Sequence, residues 1–317
     1  MLRILLVSDL GNNIGLGHYS RAKILKKEII NCYKRKVQFT NLFISEEKNK
    51  LIKTIKKENF EKKLFKLLKI KKINKLIFNV SRFFEPELYN LIKILSKKKN
   101  LELFAIDGFI KKSFFFKKIW IPNIALKQKT FDKKKIKFGW DKILIDPKVE
   151  EKTKNNKKNV LILIGGTDRY KIGEKLPKLL KNNFKNFTFY WIQGPFAKKP
   201  SINKNFKNFK IIQNKLNLKN IYAKMDFAFV VFGVTFFEVL RNKIPHVLFF
   251  HKSKIEDMHL IKKLINLKFN VCGDYPEAIK RMKELTENYK KSTIQINKLS
   301  KLIKFKKRNK FIKNFLG

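Results

Sequence analysis

Cysteine is nearly absent from this 317-residue chain: Cys32 and Cys272 stand far apart, with no CxxC or Cys/His spacing beside either. That excludes a disulfide framework and a structural zinc finger, and it fits a reduced, cytoplasmic protein. Long apolar runs are missing too. The opening MLRILLVSDL is cut short by Asp9 before it reaches signal-peptide length, and no stretch approaches the ~20 apolar residues of a membrane span. A soluble protein is therefore expected. Acidic residues are few, 25 Asp plus Glu against 75 Lys plus Arg, which leaves a formal net charge of +50. Arginine is also scarce, supplying only eight of those 75 cations. A dedicated nucleic-acid reader uses more, because the guanidinium fork grips phosphate and guanine with two parallel bonds. The lysines run along the whole chain together with Asn, Ile and Phe. These four residue types share A/T-rich codons, so compositional drift accounts for the surplus and no specific nucleic-acid partner is indicated. A phosphate-bearing substrate gains from such a field either way.

What is present is ample core material, with 44% hydrophobic and 13% aromatic residues. A chain of this length exceeds one hydrophobic core, so two domains are expected. Short apolar runs alternate with amphipathic ones. Strands are predicted at Leu2–Ser8, Val37–Ile44, Leu76–Val80 and Leu101–Ile106, with helices near 19–30, 51–68 and 86–97. The pattern restarts after the Lys-rich stretch 148–158. Strands are expected at Asn159–Ile164, Thr188–Gln193, Lys210–Gln213, Phe227–Val231 and His246–Phe250, with helices at Gly173–Lys181 and from Phe236 to Arg241. Such alternation marks parallel sheets covered on both faces. The expected domains are 1–148 and 149–317, both Rossmann-like α/β, with Asp146-Pro147 in the linker. The basic, amphipathic stretch Asn297–Gly317 is expected to form a terminal helix packed back on the protein; peripheral contact with an anionic membrane is its other use.

Three glycine turns carry the chemistry. In Ser8-Asp9-Leu10-Gly11-Asn12-Asn13-Ile14-Gly15-Leu16-Gly17-His18-Tyr19-Ser20-Arg21, a strand end passes through glycines into a helix start. Bare backbone N–H groups and a positive helix end meet there, which suits anions and sugar hydroxyls. His18 has the side-chain chemistry for proton transfer near neutral pH, and Asp9 could orient it or bind a hydroxyl. Asp9, Gly15, Gly17 and Arg21 are the candidate substrate contacts. The plain alternative is a Rossmann turn with His18 as a helix cap. Gly165-Gly166-Thr167-Asp168 repeats the arrangement in the second half, and Phe232-Gly233-Val234-Thr235-Phe236-Phe237-Glu238 does so again. There Thr235 can cap or touch phosphate, and Glu238 can accept both hydroxyls of a ribose.

The pattern SDxxxxIGxGHxxR, followed by GGTD and Gly-x-Thr-x-x-Glu, resembles the UDP-2,4-diacetamido-2,4,6-trideoxy-β-L-altropyranose hydrolases of pseudaminic acid synthesis. It is equally similar to proteins labelled spore-coat polysaccharide glycosyltransferases, and both resemble the N-acetylglucosaminyltransferase of peptidoglycan precursor synthesis, which has a GT-B fold. Phe138-Gly139-Trp140 and Ile143-Leu144-Ile145 resemble the hydrolases' interdomain region. The resemblance runs through about Val271 and implies a GT-B fold, two Rossmann-like domains facing across a cleft, that processes a UDP-activated sugar. It casts His18 as the base that activates water at the anomeric carbon. It casts Gly165, Gly166, Thr167, Asp168, Gly233, Thr235 and Glu238 as nucleotide contacts, with no metal or other cofactor. Two departures stand out. Asn79-Val80-Ser81 replaces an Asp-His-Tyr, and Glu256-Asp257 replaces an Asn-Gln. With His251 and His259 nearby, that second cluster lacks HxxxH or HxxE spacing and reads as a solvated loop or helix start. Hydrolysis and glycosyl transfer both remain open, as does a non-catalytic protein that binds polyanions or nucleotide sugars.

Overall fold

The computed structural model describes residues 1–11, 14–46, 52–81, 84–122, 132–140, 143–145, 158–168, 170–203, 205–213, 218–250, 258–303 and 308–317. The chain forms two compact units, Met1–Leu144 with Lys304–Gly317, and Ile145–Ile303. Asp146-Pro147 lies outside the described residues.

The first unit is built on β1 (Leu2–Asp9), β2 (Val37–Ser45), β3 (Ile55–Lys56), β4 (Lys75–Asn79), β5 (Glu102–Ile106), β6 (Lys118–Ile121) and β7 (Ile136–Phe138). They align in the order β3-β2-β1-β4-β5-β6-β7, every pair parallel. Alternate side chains supply two cores, as the two-residue period of a strand requires. Leu5, Val7, Leu76, Phe78 and Ala105 pack on one face, beneath α2 (Phe60–Ile70) and α3 (Tyr89–Ser96). Ile4, Leu6, Ile77, Phe104 and Trp120 pack on the other, beneath α1 (Gly17–Tyr33) and α10 (Arg308–Leu316). Burial on both faces explains why the strands read as continuous apolar runs.

The second unit repeats this plan. Its strands are β8 (Lys158–Leu163), β9 (Phe187–Gln193), β10 (Phe209–Gln213), β11 (Phe227–Val231), β12 (His246–Phe249) and β13 (Val271–Cys272), in the order β10-β9-β8-β11-β12-β13 and all parallel. Val160, Ile162, Phe229 and Val247 face α4 (Ile172–Asn183) and α8 (Tyr275–Glu287). His246, next to Val247, points the opposite way, and Phe236 of α6 (Val234–Arg241) packs on its ring at 5.4 Å. The helices α5 (Lys219–Tyr222), α7 (Met258–Asn266) and α9 (Tyr289–Ser300) complete the unit.

Three expectations change. The helix expected from residue 51 begins only at Phe60. Ile55 instead pairs with Ile44 in the sheet, as its β-branched side chain favours. The sequence pattern also passed over β3, β6, β7 and β13, strands of two to four residues that are too short to show a period. Finally, Asn297–Gly317 is not one helix: α9 stops at Ser300 and α10 begins at Arg308. The apolar side of α10 is consumed inside the first unit, where Phe315 lies 5.3 Å from Phe104 and Lys75 Nζ donates to the Leu316 carbonyl at 2.5 Å. That side is not on offer to a membrane. No helix among the described residues is long and apolar enough to cross one.

Replacing Phe315, 1% exposed, with Ala is expected to cost about 3–5 kcal/mol. The same truncation at Ile294, 71% exposed on α9, should change stability by no more than about 0.5 kcal/mol. Urea denaturation compares them. A second outcome concerns pH. Burial lowers His246 to about 4, against a partial opposing effect of its hydrogen bond to the Ile244 carbonyl. The unfolded chain binds this proton first, so the stability His246 confers is complete above the ordinary value of 6.5 and drains away as pH falls from there towards 4. Denaturation midpoints of the wild type should fall across that window, and those of His246→Leu should fall less.

Candidate active site

In the first unit the strand order reverses between β1 and β4, and this is where the crossovers part. The helix after β1 covers one face and the helix after β4 the other. A crevice at the carboxyl ends of two such strands is the ligand position of open α/β sheets. Asp9 is the last residue of β1, and Asn79 the last of β4. After β1 the chain doubles back tightly. The Gly15 N–H reaches the Gly11 carbonyl at 2.7 Å, with Gly15 at φ +78°, a left-handed conformation that glycine adopts without strain. Asn12 and Asn13 lie outside the described residues. This return sets Gly17 as the first residue of α1 and His18 as the second.

The His18 ring does not cap its helix. It turns to Asp9, with Nδ1 2.6 Å from Oδ1. The carboxylate is otherwise held by Ser81, whose N–H lies 3.0 Å from each oxygen and whose hydroxyl donates to Oδ2 at 2.6 Å. Burial opposes the Asp9 charge, but the hydrogen bond and charge of His18 and the two donors of Ser81 outweigh it and hold the carboxyl below its ordinary range. An ionised Asp9 can only accept, so Nδ1 carries a proton, and in the neutral form of the ring Nε2 keeps a lone pair. That tautomer can take a proton from a nucleophile, and the carboxylate then steadies the resulting imidazolium. The side chains are 14% and 4% exposed for His18 and Asp9. Asp9 is thus nearly closed to solvent, with its oxygens held by His18 and Ser81. Asn79 completes the support by donating to Ser8 Oγ and to the His18 carbonyl, each at 2.9 Å.

Arg21 lies one turn beyond His18 on α1. Its Nη1 donates to Asp107 Oδ2 at 2.7 Å, so it is committed to a carboxylate within the unit rather than open to a phosphate. Asp107 escaped the sequence reading, and Asn79 and Ser81 entered it only as departures from the pattern the sequence resembles; the signal that finds them is position, at the end of the strand beside β1.

The second unit has the same reversal between β8 and β11, and both remaining glycine turns lie there. Gly165 follows β8 with φ +89°, and nothing lies within 4 Å of where its Cβ would be. Gly166 and Thr167 are half-buried. The turn packs closely on Gly194, whose Cβ would fall 2.4 Å from the Gly165 carbonyl oxygen. The two oxygens of Asp168 accept the Ile172 and Gly173 N–H groups at 2.7 Å each, which makes it a clamp on the start of α4. Gly233 stands open at the start of α6, where no side chain caps the helix, and Thr235 sits in its first turn. Glu238 Oε2 accepts the Tyr222 hydroxyl at 2.6 Å, so this carboxylate has a partner inside an apolar stretch. His251, Glu256 and Asp257 lie outside the described residues, and His259 falls in α7. Among the described residues no three His, Cys, Asp or Glu side chains gather as a metal ion would require.

The chain matches no protein-family model and no curated protein. Solved structures are a different matter. MurG of Acinetobacter baumannii is 13% identical over all of this chain and 99% of that one, with a TM-score of 0.63. The UDP-GlcNAc 2-epimerase of Neisseria meningitidis, solved with UDP-GlcNAc bound, is 12% identical over 93% of this chain and 94% of that one, TM-score 0.63. A glycosyltransferase of Rickettsia africae is 15% identical over 99% and 97%, TM-score 0.55. At such identities the likeness is one of fold: two parallel Rossmann-like sheets in the GT-B arrangement.

Asp9→Asn tests the electrostatics described here. A carboxyl lowered by folding contributes stability that is fully present above its ordinary value of 3.8 and is lost as pH falls through the folded value. The variant should be the less stable protein at neutral pH, and the gap should close as pH drops below about 3.8. Urea titrations of both proteins from pH 7 downwards measure it.

Proposed function

We propose that this chain is an enzyme that cleaves a nucleotide-activated sugar, with His18 as general base. The observation that carries the reading is the Asp9–His18 pair, 2.6 Å apart at the strand-order reversal of the first sheet. In the hydrolytic reaction Nε2 takes a proton from water as its oxygen attacks the anomeric carbon. The bond from that carbon to the phosphate oxygen breaks, and the nucleoside diphosphate leaves with the bonding electrons. Asp9 stabilises the imidazolium until the proton passes to solvent. The substrate class is a UDP-amino sugar, in nonulosonic (pseudaminic) acid or surface-glycan synthesis, as the SDxxxxIGxGHxxR resemblance implies. Solved proteins of like fold support the class, among them an epimerase with UDP-GlcNAc bound.

The nucleotide belongs, in this reading, to the reversal of the second sheet. Gly165 offers open backbone, with Gly166 and Thr167 half-buried beside it. Gly233 and Thr235 present the uncapped start of α6 to the diphosphate, whose negative charge that helix end favours. Glu238, steadied by Tyr222, is assigned the ribose hydroxyls. A second reading, glycosyl transfer, keeps the same base and substitutes an acceptor hydroxyl for water. Ser81 favours it, because it fills the tyrosine position of the hydrolases and is spent on Asp9.

Incubation with a panel of UDP-sugars, with and without acceptor alcohols, followed by NMR of released UDP, tests both. Release without acceptor identifies the hydrolase; release only with acceptor identifies the transferase. His18→Ala is expected to lower either rate by about 10²–10⁴-fold while UDP still binds. Turnover unchanged in that variant would overturn the assignment.

A further inference from the structure

The ion pair behind the dyad is built more expensively than a structural strut requires. The Arg21 side chain is 8% exposed, and its Nε has no hydrogen-bond partner among the described residues. A buried cation held by a single carboxylate recovers little of its desolvation cost, and an apolar pair would join α1 to β5 at lower cost. The backbone is strained at the same place. Asp107, the residue just after β5, has φ +64°, and Phe109 has φ +60°. Left-handed conformations are strained for an L-residue, and such strain collects where a side chain must be aimed. Gly108 lies between them, where a Cβ would come within 3.0 Å of Glu85 Oε2. The result is a carboxylate at the carboxyl end of the strand next to β4, 31% exposed, with Oδ2 fixed by Arg21. Arg21 stands three residues after His18, so the two side chains leave the same face of α1.

We infer that Asp107 is a sugar-recognising carboxylate: Arg21 fixes one oxygen, and the other accepts a hydrogen bond from a hydroxyl or amide N–H of the sugar ring. The assignment rests on the nucleotide-sugar reading above and adds its specificity element. An ionised carboxylate only accepts, so the ring position it reads must carry a donor. A sugar lacking that donor leaves a fixed, partly buried carboxylate unpaired and is rejected. Arg21 acts here as a positioning residue.

The test uses the full chain and UDP-sugars deoxygenated one ring position at a time. The wild type should release UDP from one of these analogues at least about tenfold more slowly than from the parent sugar, judged by kcat/KM. In Asp107→Asn that gap should collapse, with parent and analogue becoming alike, while UDP alone binds as it does to the wild type. Arg21→Lys, which keeps the charge but loses the fork, should narrow the same gap. If Asp107→Asn slows every sugar equally, or none, the pair is only a strut and the inference falls while the enzymatic reading stands. If the wild type releases UDP from no sugar at all, the enzymatic reading fails first and takes this inference with it.

Discussion

A parallel strand flanked by neighbours whose crossovers leave on opposite faces cannot have its carboxyl end covered by either helix. The structure is organised around that constraint, which it meets twice, at β1/β4 and at β8/β11. At β1 the open end is filled from within by a short hydrogen-bonded column: Asn79 steadies the His18 backbone, Ser81 clamps Asp9, and Asp9 turns the imidazole. Each bond depends on β1 and β4 being adjacent and in register, with Ser8 opposite Asn79. A slip of one residue would exchange the two faces of β4 and bring Phe78 where Asn79 must be.

The helix that carries His18 is fixed from several directions. Ala22, Leu25 and Ile29 of α1 sink into the core over Ile4 and Leu6. At its far end Arg308 of α10 reaches Glu28 at 3.1 Å, while Phe315 and Phe311 close on Trp120. The Arg21–Asp107 pair adds a tie close to the ring. The position of an imidazole relative to a carboxylate thus depends on residues at the other end of the chain, which is how a fold made of separate crossovers can hold a proton-transfer geometry.

Sequence legibility follows the same physics. The long strands and the three glycine turns were readable because burial on both faces imposes apolar runs and because tight backbone turns demand glycine. His18 and Asp9 were readable because they flank such a turn. What the pattern could not give was pairing. Asn79 and Ser81 lie some 70 positions from Asp9, and only the strand order makes them neighbours. The bonds of Asp168 were hidden for a related reason: spacing after a glycine turn does not tell that both its oxygens accept N–H groups of α4. Short edge strands such as β3 and β13 take their form from the sheet they join, which two residues cannot announce.

The same geometry accounts for the charge. Among the described residues Lys75 is the one lysine in the buried set, and it is tied to Glu102 and to the Leu316 carbonyl. The column at β1 is made of Asp, His, Ser and Asn, with an Arg–Asp pair behind it, and uses no lysine. A surplus of +50 can therefore accumulate on solvated surfaces, where each added ammonium costs little, without entering the electrostatics that fix the imidazole. The long-range field still draws anions towards the protein. Selectivity among them has to come from the few side chains whose geometry the sheets enforce.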